Sequence, residues 1–445
     1  MTNPAFPLTR RRLLAGLGAV AATGLSGTAR AQAGQSRPLV FRAARALVPL
    51  KPGQPGTEVW SLQTDGPTGA LRFDQGDSID LTLRNDLPPP LVLNWHGFNG
   101  LPGIEPLTAR QPIAPGQTGR FSLALRQAGT FFGDVRLLGD GLAQSSPARA
   151  LIVQEQTPAE GDHDELVLIE DWRFGANGLP IAPGVGGQQA GAPLYLVNGR
   201  PSLDFTLRLN DRLRLRFING CQRNAIAIGI QNLDVRIMAI DSQPAEPFLA
   251  RNGRFVLSPG TRVDVLIDVI APAGATSAIT LHDGRTPLDI ARLSVSAEKP
   301  RRAAPLPAPS PLPSSNLPTR LDLKNALRVE MPLATPDGAS ATWIAPTHFN
   351  ANSAPTFRVK RGRTVVLTLT NAAAMPVVFH LHGHHVRFLD RLDDGWKPFW
   401  LDTILVDAGQ TLRVAFAADT VGAWLMEAMA VEWSAPRRLR WFAVE

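Results

Sequence analysis

A single cysteine, Cys221, serves a chain of 445 residues, so no intramolecular disulfide can form. It follows Arg216-Phe217-Ile218-Asn219-Gly220 and reads as a small buried residue at a strand end. The chain also lacks a phosphate-cradling glycine loop, a Gly-x-Ser-x-Gly nucleophile elbow, and any basic and aromatic array suited to nucleic acid. Nucleotide-handling, serine-hydrolase and nucleic-acid-binding classes therefore have no support. A large excess of one charge is lacking too, with 45 Lys and Arg against 38 Asp and Glu. The formal +7 includes Arg10, Arg11, Arg12 and Arg30 of a segment expected to be removed, and the +3 that remains is weak evidence for a polyanionic or membrane partner.

That N-terminal segment, residues 1–31, has a basic cluster (Thr9-Arg10-Arg11-Arg12-Leu13-Leu14), an uncharged stretch from Ala15 to Gly27, and Ala29-Arg30-Ala31 as a small-x-small cleavage site. It reads as a bacterial twin-arginine signal that sends the protein to the periplasm, with an ordinary secretory signal or a membrane anchor as the alternative. The stretch is short and glycine-rich for a membrane span, so none is expected after signal removal.

What is present is turn chemistry and alternation. With 39 glycines, 39 prolines and 44% hydrophobic residues, the chain suits short strands rather than a helical bundle. Ser78-Ile-Asp-Leu-Thr-Leu-Arg-Asn85, Arg212-Leu-Arg-Leu-Arg-Phe-Ile-Asn219 and Arg363-Thr-Val-Val-Leu-Thr-Leu-Thr-Asn371 repeat one phrase, which predicts equivalent half-buried strands in three β-sandwiches. A second phrase, Ala114-Pro-Gly-Gln117, Ser258-Pro-Gly-Thr261 and Asp407-Ala-Gly-Gln410, predicts a turn that launches an edge strand each time. Residues 299–318 hold seven prolines and read as an extended linker. The expected units are 37–157, 163–297 and 320–445, with the linker at 298–319.

Three further segments carry the chemistry: Asn94-Trp95-His96-Gly97, Gly129-Thr-Phe-Phe-Gly-Asp134-Val-Arg136, and Phe379-His380-Leu381-His382-Gly383-His384. In order and spacing they resemble the multicopper oxidases. The resemblance runs through nearly all of the chain after residue 31 and implies an all-β fold of three consecutive cupredoxin-like Greek-key β-sandwich domains. The family's His-Cys-His cluster would fall in residues 422–433, which read Gly-Ala-Trp-Leu-Met-Glu-Ala-Met-Ala-Val-Glu-Trp and hold neither cysteine nor histidine.

Carried over position by position, the resemblance puts the type 1 copper cysteine on Ala428, its histidines on Val377 and Trp433, and its axial ligand near Arg438. The four His-x-His pairs of the trinuclear centre become Asn94/His96, Asp134/Arg136, His380/His382 and Glu427/Met429. It further implies that Arg136, His382 and Glu427 converge where one copper would sit, and His96, Asp134 and Met429 at the other. The expectations are an Arg136–Glu427 ion pair, a His96–Asp134 hydrogen bond, and an apolar plug of Ala428, Val377 and Trp433. A permanent cation a few Å from Cu²⁺ is repelled by several kcal/mol even at an effective dielectric near 20, which argues against a dicopper site.

Two readings stay open for the surviving histidines. His96, His380 and His382 with Asp134 or Glu427 would make a nitrogen and oxygen ligand set for one divalent ion, copper or zinc; otherwise they satisfy one another in a polar seam between the first and third units. Met375, Met426 and Met429 read as core fillers. The functional expectation is a non-catalytic periplasmic binding or envelope scaffold with a protein partner, no catalytic residue and no resident cofactor, similar to the copper-free cell-division branch of the family. The alternative is an oxidoreductase or metal-binding protein using one residual ion.

Overall fold

The computed structural model describes residues 34–51, 53–64, 69–141, 147–184, 190–336, 342–389 and 399–445. The expected N-terminal signal lies outside them. Among the described residues the regular structure is strand, with three single-turn 3₁₀ segments and no α-helix, and no helix is long and apolar enough to cross a membrane.

Six sheets stack in pairs around three cores. The three repeated strands, Ser78–Asn85, Arg212–Asn219 and Thr364–Asn371, occupy equivalent places. Each runs parallel to an early strand of its unit: Ser36–Val48, His163–Trp172 and Leu327–Ala334 respectively. Each also pairs antiparallel with the strand after the second phrase: Thr118–Ala124, Arg262–Asp268 and Thr411–Ala417. Parallel neighbours cannot be joined by a hairpin, so the chain crosses between sheets, which gives the Greek-key sandwich. This is the all-β cupredoxin-type architecture that the resemblance implied.

The phrases are the corners of the sandwiches. Gly116, Gly260 and Gly409 have φ of 74°, 94° and 70°, the left-handed region that glycine enters without a Cβ clash. Three turn hydrogen bonds close there, Gln117 N to Ala114 O at 3.0 Å, Thr261 N to Ser258 O at 2.9 Å and Gln410 N to Asp407 O at 3.1 Å. Only the first turn launches an edge strand. Arg262–Asp268 and Thr411–Ala417 lie inside their sheets, because a further strand pairs on their outer side.

Arg212–Asn219 is buried along its whole length rather than half-buried. Leu213, Leu215 and Phe217 enter the core of the second unit, while Arg212, Arg214 and Arg216 point into seams where carboxylates meet them. Arg214 bonds Glu155 of the first unit at 2.8 Å and Asp264 at 2.7 Å. Arg216 bonds Asp164 at 2.6 and 2.9 Å and reaches Thr130 of the first unit at 3.0 Å. Arg212 bonds Asp268 at 2.6 Å and the linker carbonyl of Pro307 at 2.6 Å. Residues 299–318 contain no strand, yet they are strapped down: Arg302 bonds Asp162, and Leu312 is buried against Met238, Ala239 and Leu266.

Candidate functional site

The seam between the first and third units is built by strand alternation. Asn94–His96 pairs with Gly129–Asp134, setting Asn94 opposite Asp134. Val377–Leu381 pairs with Gly422–Ala430, setting His380 opposite Glu427 and Val378 opposite Met429. Successive side chains point to opposite faces, so Trp95, Phe379, Ala428 and Met426 enter the cores while His96, His380 and Glu427 face the seam. A cavity of about 40 Å³ lies among them, lined also by Asp134, Met429, Arg437 and Cys221. That is room for about three or four waters at roughly 10–15 Å³ each.

His382 is clamped on both sides of its ring. Nδ1 lies 2.9 Å from the Glu105 carboxylate and Nε2 lies 2.6 Å from Glu427. Burial alone would lower its pKa, but the two carboxylates outweigh it and push the ring up to about 10. Glu427 is equally engaged: Oε1 accepts from His382 and from Asn94 at 3.2 Å, and Oε2 accepts from Arg437 at 2.5 Å. Burial opposes its charge, yet Arg437 and His382 hold its carboxyl well below the usual range. Arg437 continues the chain through its backbone N–H to Asp140 at 2.5 Å, and Asp140 accepts from Arg223 of the second unit at 2.7 Å.

Two expected contacts are replaced. Arg136 does not pair with Glu427. Its guanidinium crosses to the second unit, bonding Glu170 at 2.6 Å and the Gly220 carbonyl at 2.7 Å, because Arg136 follows the end of its strand and Glu170 faces it across the seam. The cation beside Glu427 is Arg437, which the sequence pattern did not single out. Nor is there a His96–Asp134 hydrogen bond: Nε2 of His96 lies 3.8 Å from that carboxylate and 3.3 Å from the Asn94 amide. Asp134 instead accepts from the Arg136 backbone N–H at 2.9 Å.

The apolar plug is also only partly as expected. Val377 and Ala428 lie in the third core with Phe379 and Phe416. Trp433 lies outside that cluster, under the guanidinium of Arg173 at 5.3 Å, with its carbonyl accepting from Gly184 at 2.8 Å. Glu432 and Arg438 flank the turn on which it sits, and Arg438 is the strand neighbour of Ala428. His384 and His385 are held by packing and a backbone contact. His384 packs edge-on against Trp424 and Phe416, and burial lowers its pKa to about 4. His385 bonds the Asp241 carbonyl at 2.9 Å.

The donor geometry decides what metal this seam fits. His380, His382 and Glu427 bring one ligand atom each within 4.8 Å of one another. Two of the three are already paired, and a ring protonated on both nitrogens offers no lone pair to a metal. His380 spends Nδ1 on the Asp402 backbone carbonyl and the Thr403 hydroxyl at 3.1 and 3.0 Å, and burial holds it neutral with pKa well below the ordinary value. Its Nε2 and the Nδ1 of His96 have no protein partner. Sequence reasoning missed Glu105, Arg437 and Asp402. The only local signal was the pair Arg437-Arg438 beside the vacated cluster.

Family models described as multicopper oxidase match residues 48–133, 166–279 and 316–435. The chain is 26% identical over 412 residues to the multicopper oxidase MmcO of Mycobacterium tuberculosis, covering 81% of this chain and 78% of that protein. It is 27% identical to Laccase-6 of Oryza sativa subsp. japonica across 50% of this chain and 42% of that one. Among solved structures, a multi-copper oxidase from Pseudomonas thermotolerans shares the fold, with a TM-score of 0.78 at 23% identity over 92% of this chain and 99% of its own. Lac15 from a marine microbial metagenome aligns with a TM-score of 0.72 at 25% identity, over 92% of this chain and 99% of its own. On three matched family segments and a shared fold, the chain belongs to the multicopper oxidase family.

Proposed function

We propose that this family member is an exported, non-catalytic protein, a periplasmic binding or cell-envelope scaffold that has exchanged its coppers for ion pairs. The carrying observation is the clamp: the two nitrogens of His382 are bound to Glu105 and Glu427, and the two oxygens of Glu427 accept from His382, Asn94 and Arg437. A type 1 copper needs a soft thiolate to transfer electrons, and Ala428 and Val377 fill that space with core. The export signal, the periplasmic location and a protein partner rest on the sequence reading, and a division role rests on analogy of fold.

A second reading has one observation in its favour. His380 Nε2 and His96 Nδ1 are buried without partners beside the cavity, which would suit a single divalent ion. Elemental analysis of protein purified from copper- and zinc-supplemented cells separates the two. The scaffold reading expects less than about a tenth of an equivalent of any metal at structural-site affinities. One equivalent, lost in the His96→Ala, His380→Ala, His382→Ala variant, would replace it with a mononuclear metalloprotein.

A further inference from the structure

Away from the histidine seam, loops of the first and third units border a second, open cleft of about 490 Å³. Leu107, Leu138, Phe349 and several proline rings form its walls, and Gln111, Thr347 and Asn352 stand at its exposed rim. No ionisable side chain lines it among the described residues. Arg110, the neighbour of Gln111, is turned away: its Nε donates to the Gly103 carbonyl at 2.6 Å and its guanidinium lies 5.1 Å over the Phe121 ring. The floor is fixed, because Leu107, Leu138 and Phe349 pack with Val92, Leu425 and Leu439 in a cluster that joins the two units. Leu107 is held at φ 62° by a hydrogen bond from its own N–H to the Arg110 carbonyl at 2.8 Å, a conformation a branched side chain enters only when its surroundings impose it.

We infer that this cleft binds a neutral, mostly apolar small molecule that carries a ring and one hydrogen-bonding group. Its volume lies within the range of about 300–1,000 Å³ of ligand pockets, and apolar walls with a few convergent polar groups are the usual composition of such sites. The rim supplies those groups: among the described residues the side chains of Gln111, Thr347 and Asn352 have no protein partner, so two carboxamides and a hydroxyl are free to donate or accept. The missing charge selects against ions, since an ionic ligand would lose its hydration with nothing on the walls to replace it.

The test is fluorescence titration with 1-aminoanthracene, a neutral aromatic amine, and with anthracene-9-carboxylate as its anionic counterpart. The amine should bind saturably, one per chain, with a blue-shifted emission, and the carboxylate at least about tenfold more weakly, a difference of roughly 1.4 kcal/mol. Thr347→Trp, which fills the cleft from an exposed position, and Gln111→Glu, which charges the rim, should each weaken the amine by about tenfold or more. Leu249→Ser, in the exposed patch that Leu249 forms with Ile270 on the second unit, should leave binding unchanged. Binding that does not saturate, that persists in Thr347→Trp at an unchanged melting temperature, that is lost in Leu249→Ser, or that favours the carboxylate would overturn the inference.

Discussion

His382 is the residue on which the chemistry of the seam turns. A neutral imidazole is a good metal ligand, but one set between Glu105 and Glu427 is held as the imidazolium, because each carboxylate stabilises the charged form. The linkage follows from its sign. The folded pKa, about 10, exceeds the unfolded value of about 6.5, so its contribution is complete below pH 6.5 and is lost as pH rises towards 10. Thermal unfolding measured from pH 6.5 to 10 should therefore show a falling melting temperature, and His382→Gln should remove most of that slope while lowering stability at pH 6.5. An equal slope in the variant would mean that the ring titrates normally and the clamp is not charged. None of this could be read from residues 380–382, since Glu105 lies far away in sequence and enters through tertiary packing.

At the scale of strands and turns, the three corners are the repeated element, and each is locked by one asparagine. Asn85, Asn219 and Asn371 are fully buried. The Asn371 amide donates to the carbonyls of Met375, Val406 and Asp407 at 2.8, 3.0 and 3.1 Å, and its Oδ1 accepts from Ala373 N at 3.1 Å. Asn85 and Asn219 make the same kinds of bond. Asn371→Ala leaves several buried backbone groups unpaired, at about 1–3 kcal/mol for such a loss; urea unfolding should show a drop in that range, and a change below about 0.5 kcal/mol would show that water replaces the amide. These corners were legible because Asn, Pro-Gly and alternation are local signals. The burial of Arg212, Arg214 and Arg216 was not, because alternation records which face a side chain takes and not what packs over it. The same limit explains Arg136, whose position matched the family pattern while Glu170, its partner, came from another unit.

Across the whole molecule, one chain of charges joins all three sandwiches: Glu105 and Asp140 from the first, Arg223 from the second, and His382, Glu427 and Arg437 from the third. Buried pairs of this kind are weak evidence for net stability, since desolvation offsets much of the attraction, but removing one partner strands the other. Arg437→Met should therefore destabilise by about 3–5 kcal/mol, because Glu427 keeps its charge and loses the cation beside it. Glu427→Gln removes the anion instead and leaves His382 to Glu105. If the chain of charges acts as a unit, the double variant should be more stable than the sum of the single effects predicts by about 1–3 kcal/mol, the coupling expected of contacting groups. Because the pair sits where the units meet, the loss should also reach beyond the third unit, and secondary-structure and tryptophan signals should shift together in urea. Additive single effects, or tryptophan and backbone transitions that separate only in the variants, would show instead that the three sandwiches are held by their apolar contacts and that the charges merely occupy the seam.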